Sequence, residues 1–248
     1  MRNTLAIFQR EFVAYFFSPI AYIVSFVFIV VNNFGFYSVV LYLNTPQAPP
    51  WRPMEIFLAG NTFLWIYLPV VAPVLTMRLL AEEKRLGTIE MLMTAPVTEA
   101  QVVLGKYLAS LAFYIVLWIP TLAYMAVLAK YGTPDYGEFL SGYIGIILLG
   151  AVFLSVGLLA SSLTRNQIGA AILGMLPIFV IWWLPVLLPA SISQGPHAET
   201  VSFFNVTEHL QLDFSNGIVD TRRIVLYLSE IVLMLFITVR IVETTKGR

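Results

Sequence analysis

Long apolar runs, separated by short polar segments, dominate the hydrophobic pattern of the 248-residue chain. A helix needs about 20 mostly apolar residues to cross a bilayer, and six segments of the chain meet that length. They are residues 20–43, 56–77, 107–129, 139–163, 167–189 and 224–242. The pattern therefore predicts an all-α membrane protein, a single transmembrane domain over residues 1–248 with six transmembrane helices.

Residues 1–18 have a different pattern, in which apolar side chains recur on one helical face. The face consists of Leu5, Phe8, Phe12 and Tyr15 or Phe16. Such an amphipathic pattern favours a helix that lies in the membrane interface, and the dipeptide Ser18-Pro19 ends it. The alternative is that these residues simply begin a longer first span.

The composition indicates that bilayer, not water, is the main solvent of this chain. Apolar residues make up 59% of the chain and charged residues only 11%, whereas soluble domains carry roughly a quarter charged residues. The formal net charge is zero, so nothing indicates nucleic acid or an acidic partner. The chain has no cysteine, which excludes disulfides, thiolate metal sites and thiol catalysis.

Lysine and arginine are distributed unevenly between the two sides that six spans would define. If both termini face the cytoplasm, ten of these residues fall on the inner side and four on the outer side. The inner set is Arg2, Arg10, Arg78, Lys84, Arg85, Lys106, Arg165, Arg240, Lys246 and Arg248, and the outer set is Arg52, Lys130, Arg222 and Arg223. Because cytoplasmic loops carry the excess of Lys and Arg, we expect a multi-pass protein of the cell membrane with both termini in the cytoplasm.

The connection between the second and third spans concentrates charge in an otherwise apolar chain. Arg78, Glu82 and Arg85 have the spacings of supporting ion pairs on a helix. We therefore expect the second span to continue as one helix from residue 56 to residue 86, roughly 46 Å long at about 1.5 Å per residue. That helix would project beyond the hydrocarbon layer of about 30 Å. Gly87 supplies the left-handed residue that commonly ends a helix.

A second helix start follows within the same connection. The stretch "TIEMLMTA", which Pro96 ends, has the pattern of a short apolar-faced helix, and Thr98 with Gln101 forms a capping-box pattern that begins the next helix. The loop 82–100 is therefore expected to place a short crosswise helix at its tip, away from the membrane. Its methionine-rich apolar surface suits docking to another protein. The alternative is an amphipathic loop that merely lies on the lipid headgroups.

The sequence "EEKRLGTIEMLMTAPVTEAQVVLGKYLA" resembles the signature of ABC-2-type transporter permeases. The matching positions are Glu82, Glu83, Gly87, Thr88, Glu90, Pro96, Gly105 and Lys106, and Met91 lies within the same motif. In that family the loop is the coupling helix, which sits in a cleft of a separate ATPase subunit. The resemblance thus implies that residues 82–96 contact an ATPase.

A later stretch, "FSNGIVDTRRIVLYLS", also resembles the family, particularly its gliding-motility and nitrous-oxide-reductase-maturation branches. The matching positions there are Gly217, Asp220, Arg222 and Tyr227. We expect Asp220 and Arg222 to organise the base of the outer loop 190–223 near the start of the sixth span.

The resemblance implies a permease that pairs as a homodimer or heterodimer and binds two copies of the ATPase subunit. It favours an exporter, with ATP and Mg held by the partner ATPase. The residues themselves agree on one point, because the phosphate-binding motif G-x-x-x-x-G-K-[ST] does not occur in the sequence. We therefore expect a non-catalytic subunit that binds no cofactor of its own.

The sixth span contains one ionisable residue, Glu230, and an intramembrane carboxylate suggests function by default. Asn32, Asn33 and Asn61 on other spans are candidate partners. An ion-coupled secondary transporter that uses Glu230 is therefore an alternative function, and a membrane anchor that transports nothing is another. The simpler interpretation of Glu230 is a satisfied polar contact or a neutral carboxylic acid.

Two further expectations concern packing and metals. Small residues at four-residue spacing, such as Gly157 with Ser161 and Ala170 with Gly174, predict that the fourth and fifth spans pack closely as an antiparallel pair. The outer loop has scattered apolar residues, so it either folds against the outer leaflet or packs on the spans as a cap. It also holds His197, Glu199, Glu208, His209 and Asp213, but without the close pairs of a zinc site, so we predict no metal.

Overall fold

The computed structural model describes residues 2–45, 53–58, 61–87, 97–131, 135–187 and 205–246. The helices are α1 (Arg2–Phe16), α2 (Pro19–Leu43), α3 (Pro53–Leu58), α4 (Thr62–Leu86), α5 (Glu99–Trp118), α6 (Leu122–Tyr131), α7 (Tyr136–Leu163), α8 (Gln167–Leu187) and α9 (Thr221–Lys246). No strand occurs within these described ranges. The all-α prediction is therefore confirmed.

Among the described residues, five helical segments are long and apolar enough to cross a membrane, as expected of a multi-pass membrane protein. They are Pro19–Leu43, Leu64–Leu86, Glu99–Lys130, Tyr136–Leu163 and Thr221–Thr244. The fifth predicted span, residues 167–189, corresponds to α8, which is also apolar but counts as a shorter helix over Gln167–Trp183. The sixth crossing therefore stays a prediction.

The second predicted span is interrupted near its start. Residues 56–58 belong to the separate short helix α3, and α4 begins at Thr62. Asn61 causes this boundary, because its side chain accepts a hydrogen bond from the Leu64 N–H at 3.3 Å and caps the new helix. The expectation of one helix from residue 56 to residue 86 was therefore wrong at its beginning, but right at its end, where Gly87 has a φ of +69°.

The third predicted span begins earlier than residue 107 and is broken before residue 129. α5 starts at Glu99 because Thr98 and Gln101 form both hydrogen bonds of the predicted capping box. α5 ends at Trp118, and a 3₁₀ turn at Ile119–Thr121 separates it from α6. The break follows from Pro120, which has no backbone N–H to continue the helix.

The N-terminal helix α1 is separate from the first span. Ser18 has extended backbone angles and Pro19 begins α2, so the alternative of one continuous helix is excluded. Ile7 and Tyr15 of α1 are buried, whereas Leu5 is 54% exposed. The apolar face predicted from the sequence thus docks only in part, because its Tyr15 is buried and its Leu5 is exposed. The interfacial location of α1 stays a prediction.

The centre of the bundle is a close contact among α4, α7 and α8. A Cβ atom added to Gly174 of α8 would lie 3.1 Å from Pro73 Cβ of α4 and 3.3 Å from Gly157 Cα of α7. The absence of side chains at these two glycines therefore lets three helices approach closely. The predicted packing of the fourth and fifth segments is confirmed, and so is the short turn 164–166 between them.

Tyrosine hydroxyl groups connect several helices by donating hydrogen bonds to backbone carbonyl groups of a neighbouring helix. The pairs are Tyr15 with Leu75 O (2.9 Å), Tyr67 with Val24 O (2.6 Å), Tyr107 with Ala151 O (3.1 Å) and Tyr114 with Ile146 O (3.1 Å). Each bond satisfies a phenol group that is buried or half-buried in the bundle.

The described part of the outer loop forms a compact segment on α7, which we call the cap (residues 206–216). It consists of three short turns, and its central Phe214 is fully buried. A Cβ atom added to Gly145 would lie 2.5 Å from Phe214 Cγ, and the Ser141 hydroxyl donates to Phe214 O at 2.6 Å. Of the two alternatives for this loop, packing on the helices applies to its described part.

Candidate functional site

Four charged side chains meet where α4 ends and α5 begins, which we call the charged end of the bundle. The Lys106 ammonium of α5 lies 2.9 Å from the Glu11 carboxylate of α1 and 2.8 Å from the Glu83 carboxylate of α4. Arg10 Nη2 lies 2.6 Å from the Glu11 carboxylate and 3.3 Å from the Glu83 carboxylate. We call Arg10, Glu11, Glu83 and Lys106 the charged cluster. It joins three helices through one ammonium group.

The sequence brings these helices together because α5 has a glycine beside Lys106. A Cβ atom added to Gly105 would lie 2.9 Å from Ile7 Cβ and 3.1 Å from the backbone oxygen of Thr4. Only a residue without a side chain lets α1 lie this close to α5. The Lys106 side chain is therefore covered, with 1% of it exposed.

The charged cluster is balanced, with two cations and two carboxylates. Burial alone raises the pKa of the Glu11 carboxyl, but the Lys106 ammonium and the Arg10 guanidinium outweigh that effect. The pKa of Glu11 therefore lies below its ordinary value of 4.5. Because removing one partner leaves an uncompensated buried charge, the cluster is stable only when α1, α4 and α5 are docked together.

The last turns of α4 present a second, exposed pair. The Arg85 guanidinium lies 3.7 Å from the Glu82 carboxylate, and their side chains are 58% and 38% exposed. The sequence spacing suggested that Arg78 pairs with Glu82, but Arg78 makes a different contact. Its guanidinium lies over the Tyr15 ring of α1, 4.9 Å from the ring centroid. Glu82 is therefore free of the bundle interior and accessible from outside.

Four residues of the predicted coupling motif, Thr88, Glu90, Met91 and Pro96, lie outside the described residues. Both sides of the gap are described, with Gly87 in the left-handed conformation and α5 capped from Thr98. The crosswise helix between them stays a prediction.

At the other end of the bundle, which we call the capped end, the structure places the second predicted motif. Gly217 has a φ of +82° and ends the cap. The Asp220 carboxylate accepts a hydrogen bond from the Arg222 N–H at 2.8 Å, so it caps the start of α9. The Arg222 side chain is exposed, and the Tyr227 hydroxyl lies 2.8 Å from His209 Nδ1 inside the cap.

The ion pair at this end involves residues that the sequence did not single out as partners. Arg223 Nε lies 3.2 Å from the Asp213 carboxylate. The Asp220 carboxylate instead accepts a hydrogen bond from a backbone N–H group of α9, and Arg222 provides that N–H group. The adjacent arginines could not be told apart without knowing which one faces the cap.

The candidate metal ligands of the outer loop have other roles where they are described. Glu208 accepts from the Asn205 amide at 2.9 Å, His209 contacts Tyr227, and Asp213 pairs with Arg223. In the part of the chain that the structure describes, no three acidic or histidine residues are grouped as metal ligands. His197 and Glu199 lie outside that part.

Glu230 is half-buried on α9, and within the described ranges none of the three predicted asparagine partners bonds to it. The amide of Asn32 donates to Phe28 O of its own helix at 2.8 Å. Asn33 accepts from the Tyr124 hydroxyl at 3.1 Å, and Asn61 caps α4. An ion-binding group that combines Glu230 with these amides is not formed in the single chain.

The sequence did identify Lys106 and Glu83, but not their partners Arg10 and Glu11. One signal was available, since Glu11 is the one acidic residue of α1, whose other charged residues are Arg2 and Arg10. The pairing itself could not be derived, because Glu11 and Lys106 are 95 residues apart.

A match to a known protein family covers nearly the whole chain described above. No curated protein matches the sequence. A family model described as ABC-2 family transporter protein matches residues 5–242, which include the charged cluster, the cap and helices α2 to α8. This match establishes that the chain belongs to the ABC-2 transporter family, whose members are membrane subunits of ABC transporters.

Proposed function

We propose that this chain is the permease of an ATP-driven exporter and that the segment joining α4 to α5 receives force from a separate ATPase subunit. Two permeases, identical or different, and two ATPase copies would form the complete transporter. ATP and Mg would be held by the ATPase. The family supports the central part of this proposal, because ABC-2 permeases typically work with an ATPase subunit.

The observation that carries the proposal is the charged cluster. Residues 88–96 connect two helices, α4 and α5, whose facing ends are joined by the buried Lys106. Displacing one helix alone would separate an ammonium from a carboxylate in a buried site, which costs several kcal/mol. A push on the connecting segment would therefore move α4, α5 and α1 as one body.

The length of α4 supports contact with a partner outside the bilayer. Its 25 residues correspond to about 37 Å, which exceeds a hydrocarbon layer of about 30 Å. The exposed residues of its last turn, Glu82 and Arg85, therefore extend toward the headgroups and beyond. Charged exposed residues at such a place set the orientation of a docking partner.

The proposal is tested by charge reversal at the end of α4. Glu82→Lys, co-expressed with the ATPase subunit of the transporter, should bind that ATPase about ten-fold more weakly, equivalent to about 1.4 kcal/mol. The measurements are the amount of ATPase that co-purifies and the ATP hydrolysis rate of the complex. Both the amount of co-purified ATPase and the ATP hydrolysis rate should decrease, because the reversed charge would face the partner.

The matched control is Glu243→Lys on α9. Glu243 also pairs with an arginine three residues away, and its side chain is 40% exposed, close to the 38% of Glu82. This control should bind the ATPase like the native chain. Equal binding by all three proteins would overturn the assignment of the α4 end as the ATPase contact.

A further inference from the structure

One hydroxyl group of α7 inserts into the backbone of α4. The Ser161 hydroxyl donates to Met77 O at 2.9 Å and accepts from the N–H groups of Leu80 at 3.1 Å and Ala81 at 3.0 Å. A serine hydroxyl has one proton to donate and two lone pairs. All of its bonding capacity is therefore used on another helix.

This contact is unusual because Met77 O and the Ala81 N–H are themselves the two ends of one α-helical hydrogen bond. Serine hydroxyls inside a helix commonly bond to their own chain, as Ser155 and Ser162 of α7 do with Val152 O and Leu159 O. Ser161 instead bridges a turn of α4, and its side chain is fully buried. A side chain that enters the helical ladder marks a place where the helix is held or bent.

Two further contacts lie on either side of Ser161. A Cβ atom added to Gly157 would lie 2.2 Å from Thr76 Oγ1, so α4 and α7 are in van der Waals contact one turn deeper. Toward the charged end, the Lys84 ammonium donates to the backbone oxygen of Ser162. Three successive turns of α4 are thus attached to the last turns of α7.

We propose that Ser161 is a positioning residue, which joins the end of α4 to the hairpin of α7 and α8 so that the hairpin moves with α4 when the partner binds ATP. α7 ends at Leu163 and α8 begins at Gln167, so little chain separates the joint from α8. The inference rests on the proposed function. It adds the hairpin to the helices that Lys106 holds together: Lys106 attaches α5 to α1 and α4, and Ser161 attaches α4 to the hairpin.

The joint itself can be tested on the permease alone. Ser161→Ala should speed hydrogen exchange at the Leu80 and Ala81 amides by about ten-fold, as expected from the loss of one buried hydrogen bond. Ser162→Ala and Ser155→Ala remove equally buried hydroxyls that bond within α7, so they should leave those amides unchanged. Equal exchange in all variants would show that Ser161 does not hold α4 and would overturn the proposal.

Transmission is tested in the complex with the ATPase. Because the chain has no cysteine, spin labels can be placed through Leu86→Cys, Leu163→Cys and Phe26→Cys, at positions that are 62%, 59% and 69% exposed. On binding ATP and vanadate, the distance from Leu163 to Phe26 of α2 should change while the distance from Leu86 to Leu163 stays constant. In Ser161→Ala, the latter distance should change or broaden, and in Ser162→Ala it should not.

The outcomes separate the two proposals. A distance from Leu86 to Leu163 that changes in the native complex would overturn the rigid joint even if the ATPase binds and hydrolyses ATP. An ATPase that does not bind at all would overturn the proposed function, whereas the exchange experiment would still decide whether Ser161 holds α4. A distance from Leu163 to Phe26 that does not change when the native complex binds ATP would overturn transmission to the hairpin.

Discussion

At the residue scale, the fold must compensate the free-energy cost of burying a single ammonium group. Lys106 has 1% of its side chain exposed and contacts carboxylates from two other helices. A lysine in this position is stable only with its charge balanced. Its partners are therefore as necessary as the lysine itself.

Lys106→Met should lower the free energy of unfolding by about 3–5 kcal/mol, because it removes the buried cation and leaves only Arg10, whose side chain is 56% exposed, to balance Glu11 and Glu83. Thermal unfolding in detergent micelles measures this effect. Arg240→Met is the control, since the pair of Arg240 with Glu243 is exposed and should contribute about 1 kcal/mol or less. Similar losses from the two variants would contradict the structural importance of the cluster.

Acidification should release α1. The pKa of Glu11 is below 4.5 in the folded protein because of Lys106 and Arg10, so its contribution is complete above about pH 4.5 and is lost as the pH falls through the lowered pKa. Spin labels at Leu5→Cys and Leu108→Cys should therefore report a longer or broader distance at acidic pH than at neutral pH.

Glu11→Gln provides the comparison for that titration. Without the carboxylate, the same pair of labels should give similar distances at both pH values. A native protein whose distance from Leu5 to Leu108 does not respond to acid would show that Glu11 does not hold α1 in place.

At the scale of elements, helix ends could be predicted where a few neighbouring residues determine them. Gly87 ends α4, Thr98 caps α5, and Ser18-Pro19 separates α1 from α2, all as the sequence indicated. The break at Asn61 was missed because an asparagine inside an apolar run carries no unambiguous signal. The contact of Ser161 with α4 could not be predicted, because the small-residue spacing that includes Ser161 indicated packing against α8 and gave no signal for α4.

Gly105→Ala should destabilise the docking of α1. The new Cβ would lie 3.1 Å from the backbone oxygen of Thr4, and the helix must move to make room. Overpacking of this kind costs about 1–3 kcal/mol. Gly169→Ala should have the opposite sign, stabilising by up to about 1 kcal/mol, because its nearest contact would be the Thr164 hydroxyl at 3.5 Å. Unfolding measurements that give both variants the same sign would contradict the close approach of α1 and α5.

At the scale of the whole molecule, the number of crossings decides which ends of the bundle share a side of the membrane. If α8 crosses, the turn after α7 and the segment before α9 lie on opposite sides. If it does not, they lie on the same side. The excess of Lys and Arg predicts that the charged end faces the cytoplasm.

Single cysteines in the cysteine-free chain measure this directly. Leu86→Cys and Leu163→Cys should react with a membrane-impermeant maleimide only after the cells are opened, whereas Ile218→Cys should react in intact cells. Equal labelling of Leu163→Cys and Ile218→Cys in intact cells would show that α8 does not span. Labelling of Leu86→Cys from outside would invert the predicted orientation and exclude contact with a cytoplasmic ATPase.

The tyrosine bonds between helices have a consequence for how this bundle can change over time. Each acceptor is a helical carbonyl with a second lone pair for its own helix, so replacing Tyr67 or Tyr107 by Phe deletes one oxygen and opens no large void. Such a step removes only about 0.5–1.5 kcal/mol. The attachment of α1 and α2 to α4, and of α5 to α7, can therefore be weakened in small, separate steps. Natural variation can thus adjust the mobility of these helices without changing the shape of the interior.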